Sequence, residues 1–561
     1  MPMGVPGKFH IDDKDNTYGG DGTGIHFDGT ALENTLIGDM AGAAITTADQ
    51  NTIMGSQSGQ SLTTSSYQTI FGFNNLPAKT SNDDGSGGNY PTFDGTVIVG
   101  SQNLTQFGGM GGIVIGVNNY SSLTSTTGSA MYGVTIGYHI GSPIGGNPGL
   151  YAGVNALPDV CIGSEILKNS GLPSTLQTPN LSGDILIGKA TAHNYQGHGA
   201  NTNPNIAIGW GALQCSAVGD RTPQSCLAIG TDALLNSGSS SGNTALGHRT
   251  LYSIGTGYNN VAVGESSLRT ITTHYQNVAV GLHAGRQSPN SLNSVFVGFM
   301  AGYLNTVSTS NDVTVGANSG ARQSSYSVII GADAVGVTGG IVSNSVIAGY
   351  QAGYATGNRA DSVLIGYQAG YSGASVYNIA IGKEVLYAHN SAVNGYNVGI
   401  GYRALYGSTT SSFNTAIGNN ALANITTGTL NLGLGDSAGY NRTTGNRNVF
   451  LGINLISNAL AQSDCIFIGH SADNGITANE ILSIGSTNLN QFIYGEMATA
   501  NQRLSFFGMT TGLTDGVKVI GIPNATTVPT TNPTGGGVFY ASGGALYWRG
   551  SSGTVTLIAP A

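Results

Sequence analysis

The segment Asn277-Val278-Ala279-Val280-Gly281-Leu282-His283-Ala284-Gly285 returns in altered form along most of the chain. Such a fixed short period limits the fold more than any single residue does. Other copies include Asn260-Val261-Ala262-Val263-Gly264, Ser294-Val295-Phe296-Val297-Gly298 and Asn414-Thr415-Ala416-Ile417-Gly418. The first corner glycine of the series is Gly38 and the last is Gly485, with 25 copies in all, and neighbours are most often 17 residues apart. Length alone, 561 residues, would suggest several domains, but the period predicts one repeat array.

The residue just before the glycine is apolar in all 25 copies, and the residue three before it is aliphatic in 20. In the other five it is Thr: Thr35, Thr52, Thr69, Thr244 and Thr415. Mostly β-branched residues at a spacing of two predict a strand, with these two positions on its buried face. A glycine in every coil would cost a helix about 1 kcal/mol each time relative to Ala. At the end of a strand it suits a corner that needs φ > 0. Ala-Gly or Ala-Leu follows three to four residues later, as in Ala284-Gly285, Ala301-Gly302, Ala233-Leu234 and Ala421-Leu422, and is expected to open the return side of the coil. The Asn, Ser or Asp four before the glycine should stack into side-chain ladders that satisfy turn backbone.

The expected fold is therefore all-β: a parallel β-solenoid or β-roll of about 25 short coils with a small C-terminal β cap. Coils ~4.8 Å apart would extend on the order of 115 Å. So thin a core buries little apolar surface per residue in a monomer, which leads to the expectation of a homotrimer. Four segments are expected. They are an N-terminal attachment segment (1–30), a solenoid with long loops (31–230), a regular solenoid (231–485) and a C-terminal β tip (486–561).

Charged residues are only 8% of the chain, and the 18 Lys and Arg are scattered, which argues against nucleic-acid binding. No apolar run approaches a membrane span, and no signal-type segment opens the chain at Met1 to Lys8. Cys161, Cys226 and Cys465 fall inside motif copies and read as packed thiols, while Cys215 and Cys226 bracket one longer connection and have the option of pairing.

Several patterns imitate chemistry. Gly435-Asp436-Ser437-Ala438-Gly439 has the letters of a nucleophile elbow. The same positions are Gly281-Leu282-His283-Ala284-Gly285 and Gly366-Tyr367-Gln368-Ala369-Gly370 elsewhere, so Ser437 reads as a coil residue. His193 and His198 share a loop with Tyr195 but lack an evident outer acid, and Asp12, Asp13 and Asp15 lack the spacing of a calcium loop. Glycoside cleavage would need paired carboxylates across a groove. Asp83-Asp84 is the one close pair beyond the leader, and Asp184 and Asp312 occupy the ladder position. The expectation is no enzyme, no catalytic residue, no metal and no cofactor. The 26 tyrosines are the better clue. Tyr195 in a long loop and Tyr540, Tyr547 and Trp548 at the tip are the candidate receptor contacts, since such rings anchor ligands at low entropic cost.

Two resemblances extend this reading. The copies at Asn277–Gly281 and Ser345–Gly349 resemble the Asn-Ser-Val-Ala-Ile-Gly repeat of YadA-like heads in trimeric autotransporter adhesins, which implies a left-handed parallel β-roll. The end of the chain carries Ile522-Pro523-Asn524-Ala525-Thr526-Thr527, Asn532-Pro533-Thr534-Gly535-Gly536-Gly537-Val538-Phe539-Tyr540 and Gly543-Gly544-Ala545-Leu546-Tyr547-Trp548-Arg549-Gly550-Ser551-Ser552-Gly553-Thr554-Val555-Thr556. In that order these resemble the C-terminal tail of bacteriophage tail-fibre and other virion proteins. The resemblance implies a structural virion fibre made in the host cytoplasm. Its implied partners are copies of itself, other virion proteins through the N-terminal segment, and a host-surface glycan or protein, with no membrane insertion. The alternatives are a head fibre or other architectural virion protein without receptor binding, a trimeric bacterial surface adhesin, and an enzyme-bearing tailspike.

Overall fold

A computed structural model describes residues 9–23, 27, 30–60, 62, 66–75, 96–103, 110–119, 131–138, 140, 160–166, 183–192, 204–215, 223–289, 291–304, 309–320, 323–336, 340–355, 357–373, 376–390, 395–456, 460–472, 478–486, 491–497, 503–506, 519–522, 524–525, 528–533 and 536–560. Among these there is no helix. Contacts divide the chain into two compact units, residues 1–311 and 312–561. Each is built on stacked parallel strands with the connectivity of a β-solenoid.

Nineteen of the 25 motif glycines follow or end a strand, most of these strands three residues long, and at Gly72, Gly100, Gly116, Gly137, Gly163 and Gly188 the strand runs one residue further. In the first unit Val261–Val263 pairs in register with Val278–Val280, which pairs with Val295–Val297. In the second, Val398–Ile400, Thr415–Ile417 and Leu432–Leu434 repeat the arrangement. One coil precedes the expected start: Thr17–Gly19 pairs in parallel with Thr35–Ile37 inside the segment expected as a leader. At the other end the order changes, because Gln491–Glu496 runs antiparallel to Ile481–Gly485. Gly537–Ser542, Ala545–Gly550 and Val555–Ala559 then form a separate antiparallel sheet of three strands within the segment expected as the C-terminal cap.

The inward face of the strands is the reverse of the expected one. The middle residue is buried, as Ala279, Ala416, Ile329 and Leu364 show at 0% exposure, while the flanking β-branched residues point outward. Val280 and Ile417 are each 40% exposed. A three-residue strand sends one side chain to one face and two to the other. The coil is too narrow to take two inward, so it takes the one.

That narrow interior is filled by compensation between the strand centre and the residue four after the corner glycine. Coils with Ala at the centre place Leu there, as in Ala228 with Leu234, Ala262 with Leu268 and Ala416 with Leu422, all buried. Where the centre is Leu36, Ile53, Ile347 or Leu364, the partner is Gly42, Gly59, Gly353 or Gly370. The described coils with Ala279 and Gly285, and with Gly433 and Gly439, are small at both positions and are filled from their neighbours. A Cβ on Gly285 would meet Leu268 at 2.8 Å and Phe296 at 2.9 Å, and one on Gly439 would meet Leu422 at 2.7 Å and Phe450 at 2.8 Å.

The backbone of the coil is demanding. Gln276, His283 and Gly285 in one coil have φ of 59°, 60° and 59°. Leu234, Leu386 and Leu422 adopt the same left-handed conformation, at φ of 53°, 52° and 48°. A non-glycine residue there costs roughly 1–2 kcal/mol. What holds it is hydrogen bonding from coil to coil. The Asn277 backbone N–H and its Nδ2 both donate to Asn260 Oδ1, at 3.1 and 3.0 Å, and Asn277 Oδ1 in turn accepts the Ser294 N–H at 3.0 Å. Asn277 Nδ2 also donates to the Ser291 carbonyl at 2.8 Å, closing the turn. Asn414, Asn431 and Asn448 repeat the ladder and end on the Cys465 N–H.

Candidate functional surfaces

Side chains with chemical potential fall into two groups: those locked inside coils and those arrayed on the outside. Inside, all four cysteines are buried thiols, and no disulfide joins Cys215 to Cys226. Burial raises the Cys226 thiol to about 11 and pushes Cys161 up further, which leaves both as inert packed groups. Asp12 accepts the backbone N–H groups of Lys14 and Asn16 at 3.0 and 2.9 Å, so its carboxylate caps a turn. Ser437 sits at a left-handed turn position (φ 55°), with its N–H on the Asn419 carbonyl at 2.7 Å. His283 and Gln368 hold the same place in their coils, at φ of 60° and 53°. Among the described residues no group of three or more His, Cys, Asp or Glu is arranged to hold a metal ion.

Asp312 shows what a ladder position does to a carboxyl. It is buried, with Oδ2 accepting the Ser324 hydroxyl at 2.8 Å and Oδ1 the Ser327 N–H at 3.1 Å. Burial raises its pKa from 3.8 to about 6, against the opposing pull of these two bonds. The folded value lies above the unfolded one. Its stabilising contribution is therefore complete below about pH 3.8 and is lost as the pH rises through about 6. Asp312→Asn, which places there the residue commonest at ladder positions, should raise stability at pH 7.5 by about 2 kcal/mol and have little effect at pH 4. Denaturant unfolding of wild type and variant at the two pH values checks this.

On the outside, aromatic residues form columns in the second unit. Tyr354, Tyr371, Tyr387 and Tyr406 stack with ring centroids 5.5, 4.9 and 5.1 Å apart. Four residues earlier in the same coils lie Tyr350, Tyr367, Lys383 and Tyr402. The first two rings stack at 5.6 Å, and the Lys383 ammonium lies 5.4 Å from the Tyr367 ring and 5.7 Å from Tyr402. Arg403 joins the two columns, with its guanidinium 5.1 Å from the Tyr402 ring and 4.9 Å from Tyr406. Its Nε donates to Glu384 at 2.6 Å, and Lys383 lies 3.7 Å from the same carboxylate. Burial, then the neighbouring phenols of Tyr371 and Tyr406 and the Glu384 carboxylate, raise the pKa of Tyr387. A third column, Tyr377, Tyr396 and Phe413, stacks at 4.8 and 5.0 Å on the other side of the strands.

The residues expected to contact a receptor are placed differently. Tyr540 is only 7% exposed and stacks on Tyr547 at 5.3 Å, while Trp548 is half-buried and tilts against Phe539 at 4.6 Å. Phe539 itself is 59% exposed and is the outward ring of that sheet. Tyr195, His193, His198 and the Asp83-Asp84 pair lie outside the described residues. The columns lie within the regular coils, whereas the aromatic candidates from the sequence lie in a long loop and at the tip. The columns' signal in the sequence is phase: over four consecutive coils Tyr stands five residues after the corner glycine in every one, and one residue after it in all but the coil with Lys383.

No helix among the described residues is long and apolar enough to cross a membrane. No protein-family model matches the chain, and neither the curated proteins nor the solved structures contain a match to it.

Proposed function

We propose that the chain is a structural fibre protein of a bacteriophage particle, a tail fibre that acts as a stiff spacer and takes part in attachment to the host surface. The observation that carries this is the use of the repeat's polar groups. The ladder of Asn16, Asn34 and Asn51, like that of Asn414, Asn431 and Asn448, is consumed by coil-to-coil bonds, so these amides serve the stack itself. The ordered series of motifs from Ile522 to Thr556 supplies the phage part of the reading. If the reading holds, purified protein added in excess should block phage adsorption. Undiminished adsorption would favour an architectural virion part without receptor binding.

Self-association belongs to the same proposal. The outward strand residues Ile330, Ile365 and Ile417 occupy one position of the coil at 44%, 38% and 40% exposure, leaving an uncovered β-branched surface. Apolar surface repeated in this way favours burial against further copies, most simply in a homotrimer. Light scattering should give a multiple of the 56.9 kDa chain. Ile365→Lys with Ile417→Lys should shift that mass toward the single chain without loss of β-structure by circular dichroism. A monomeric wild type would remove the self-association part.

A further inference from the structure

We propose that the paired columns Tyr350, Tyr367, Lys383, Tyr402 and Tyr354, Tyr371, Tyr387, Tyr406 form a binding strip for an extended acidic polysaccharide, laid along the stack with about one sugar per coil. This deepens the host-attachment reading and takes its biological meaning from it. It moves the contact from the tip to the body of the second unit.

Spacing is the first ground. The Tyr354 to Tyr406 column offers the same phenol chemistry every 4.9 to 5.5 Å, so a ligand that uses all of it must itself be periodic at that step. A polypeptide lying along the stack presents same-side groups about 6.6 Å apart, out of step with the coils. An extended β-linked hexose polymer advances by about one strand spacing, ~5 Å, per sugar.

The second ground is what the rings offer. They stack face to face, with Tyr371 and Tyr387 only 3° from parallel, so neighbouring rings cover one another's faces. A repeating row of phenol edges and hydroxyls remains, and a hydroxyl-rich ligand can both donate to and accept from it. Holding each ring by its neighbours also lowers the entropy lost on binding.

Charge supplies the third. Lys383 and Arg403 have a single carboxylate between them, Glu384, and the Lys383 side chain is 53% exposed. Within a chain of net charge −9, this corner is locally cationic and suits carboxylates on the sugar.

Affinity electrophoresis of the full chain in gels containing alginate, an extended polyuronate, tests the strip, with dextran as the neutral control. Alginate should retard the wild type and dextran should not. Tyr350→Phe, Tyr367→Phe and Tyr402→Phe combined keep the stack but remove three hydroxyls, and should weaken retardation about ten-fold or more, as should Lys383→Gln alone. Circular dichroism and the thermal midpoint serve as fold controls. Absence of retardation by alginate, or retardation equal in wild type and both variants, overturns the proposal. A change in assembly mass of the variants by light scattering also overturns it, because the strip is then an interface between copies. Adsorption blocked equally by wild type and variants would leave the fibre reading intact while removing the strip.

Discussion

Leu364→Ala and Gly370→Leu should each destabilise the second unit, and together they should largely restore it. Leu364 fills its coil from the strand centre at 0% exposure, and both of its methyls lie 3.0 Å from where a Gly370 Cβ would stand. Removing the leucine leaves a cavity, at a cost of about 2–5 kcal/mol. Adding one at residue 370 overfills the same space, which costs about 1–3 kcal/mol. The left-handed backbone there, φ 60°, adds strain but does not forbid leucine, since Leu386 in the next coil occupies the equivalent place at φ 52°. The double variant copies that next coil, where Ala380 and Leu386 are both buried. A double-mutant cycle by denaturant unfolding should return a coupling of about 2 kcal/mol or more in favour of the pair. Simple additivity would show that the Ala–Leu and Leu–Gly alternation does not reflect shared volume.

This alternation was open to reading in the sequence, and its meaning was not. The period, the strand and the corner glycine could be recovered because each imposes one residue type at one place, and the buried ladder at Asn260 and Asn277 followed from the same register. The direction of the strand faces could not be recovered so easily. Residues such as Val278, Ala279 and Val280 are apolar at all three places, so period two has no polar face to mark the outside. Only the size of the coil decides, and it selects the smallest or most variable position for the interior. Leucine at a left-handed position was equally hidden, because local preference points to glycine and tertiary filling overrides it. The coil at Thr17–Gly19 is hidden for a different reason: Thr17 fits the first flank, but Gly19 stands where the second, apolar flank should be, so the pair of residues that marks a strand is incomplete while the Asn16 ladder bond to Asn34 is present. The tyrosine columns differ: their phase is legible, since Tyr350, Tyr367 and Tyr402 each stand one residue after a corner glycine, but that rings in this phase stack on one another follows only once the coils are in register.

The largest single loss is expected from a corner glycine. Gly247 has φ 137°, a region nearly closed to residues with a Cβ, and a Cβ there would lie 2.8 Å from both the carbonyl carbon and oxygen of Gly264 in the next coil. Neither contact can be relieved by turning a side chain. The obstacle is backbone, and that backbone is held by the Gly264 N–H on the Leu246 carbonyl and by the Thr250 hydroxyl on the Gly264 carbonyl, both at 2.8 Å. Gly247→Ala should therefore cost about 3 kcal/mol or more. Because coils interact with their nearest neighbours, the damage should be concentrated locally. Hydrogen exchange should accelerate first at Thr244–Leu246 and Val261–Val263, with much smaller changes in coils far along the stack. Gly543 supplies the control: its φ is 55°, and nothing lies within 4 Å of an added Cβ. Gly543→Asn, a residue that tolerates this conformation in a hairpin turn, should change stability by less than about 1 kcal/mol. Equal losses at the two sites would mean that φ alone sets the requirement. A loss confined to Gly247→Ala would tie the glycine requirement to the corner, where a φ of 137° and the close approach of the next coil act together.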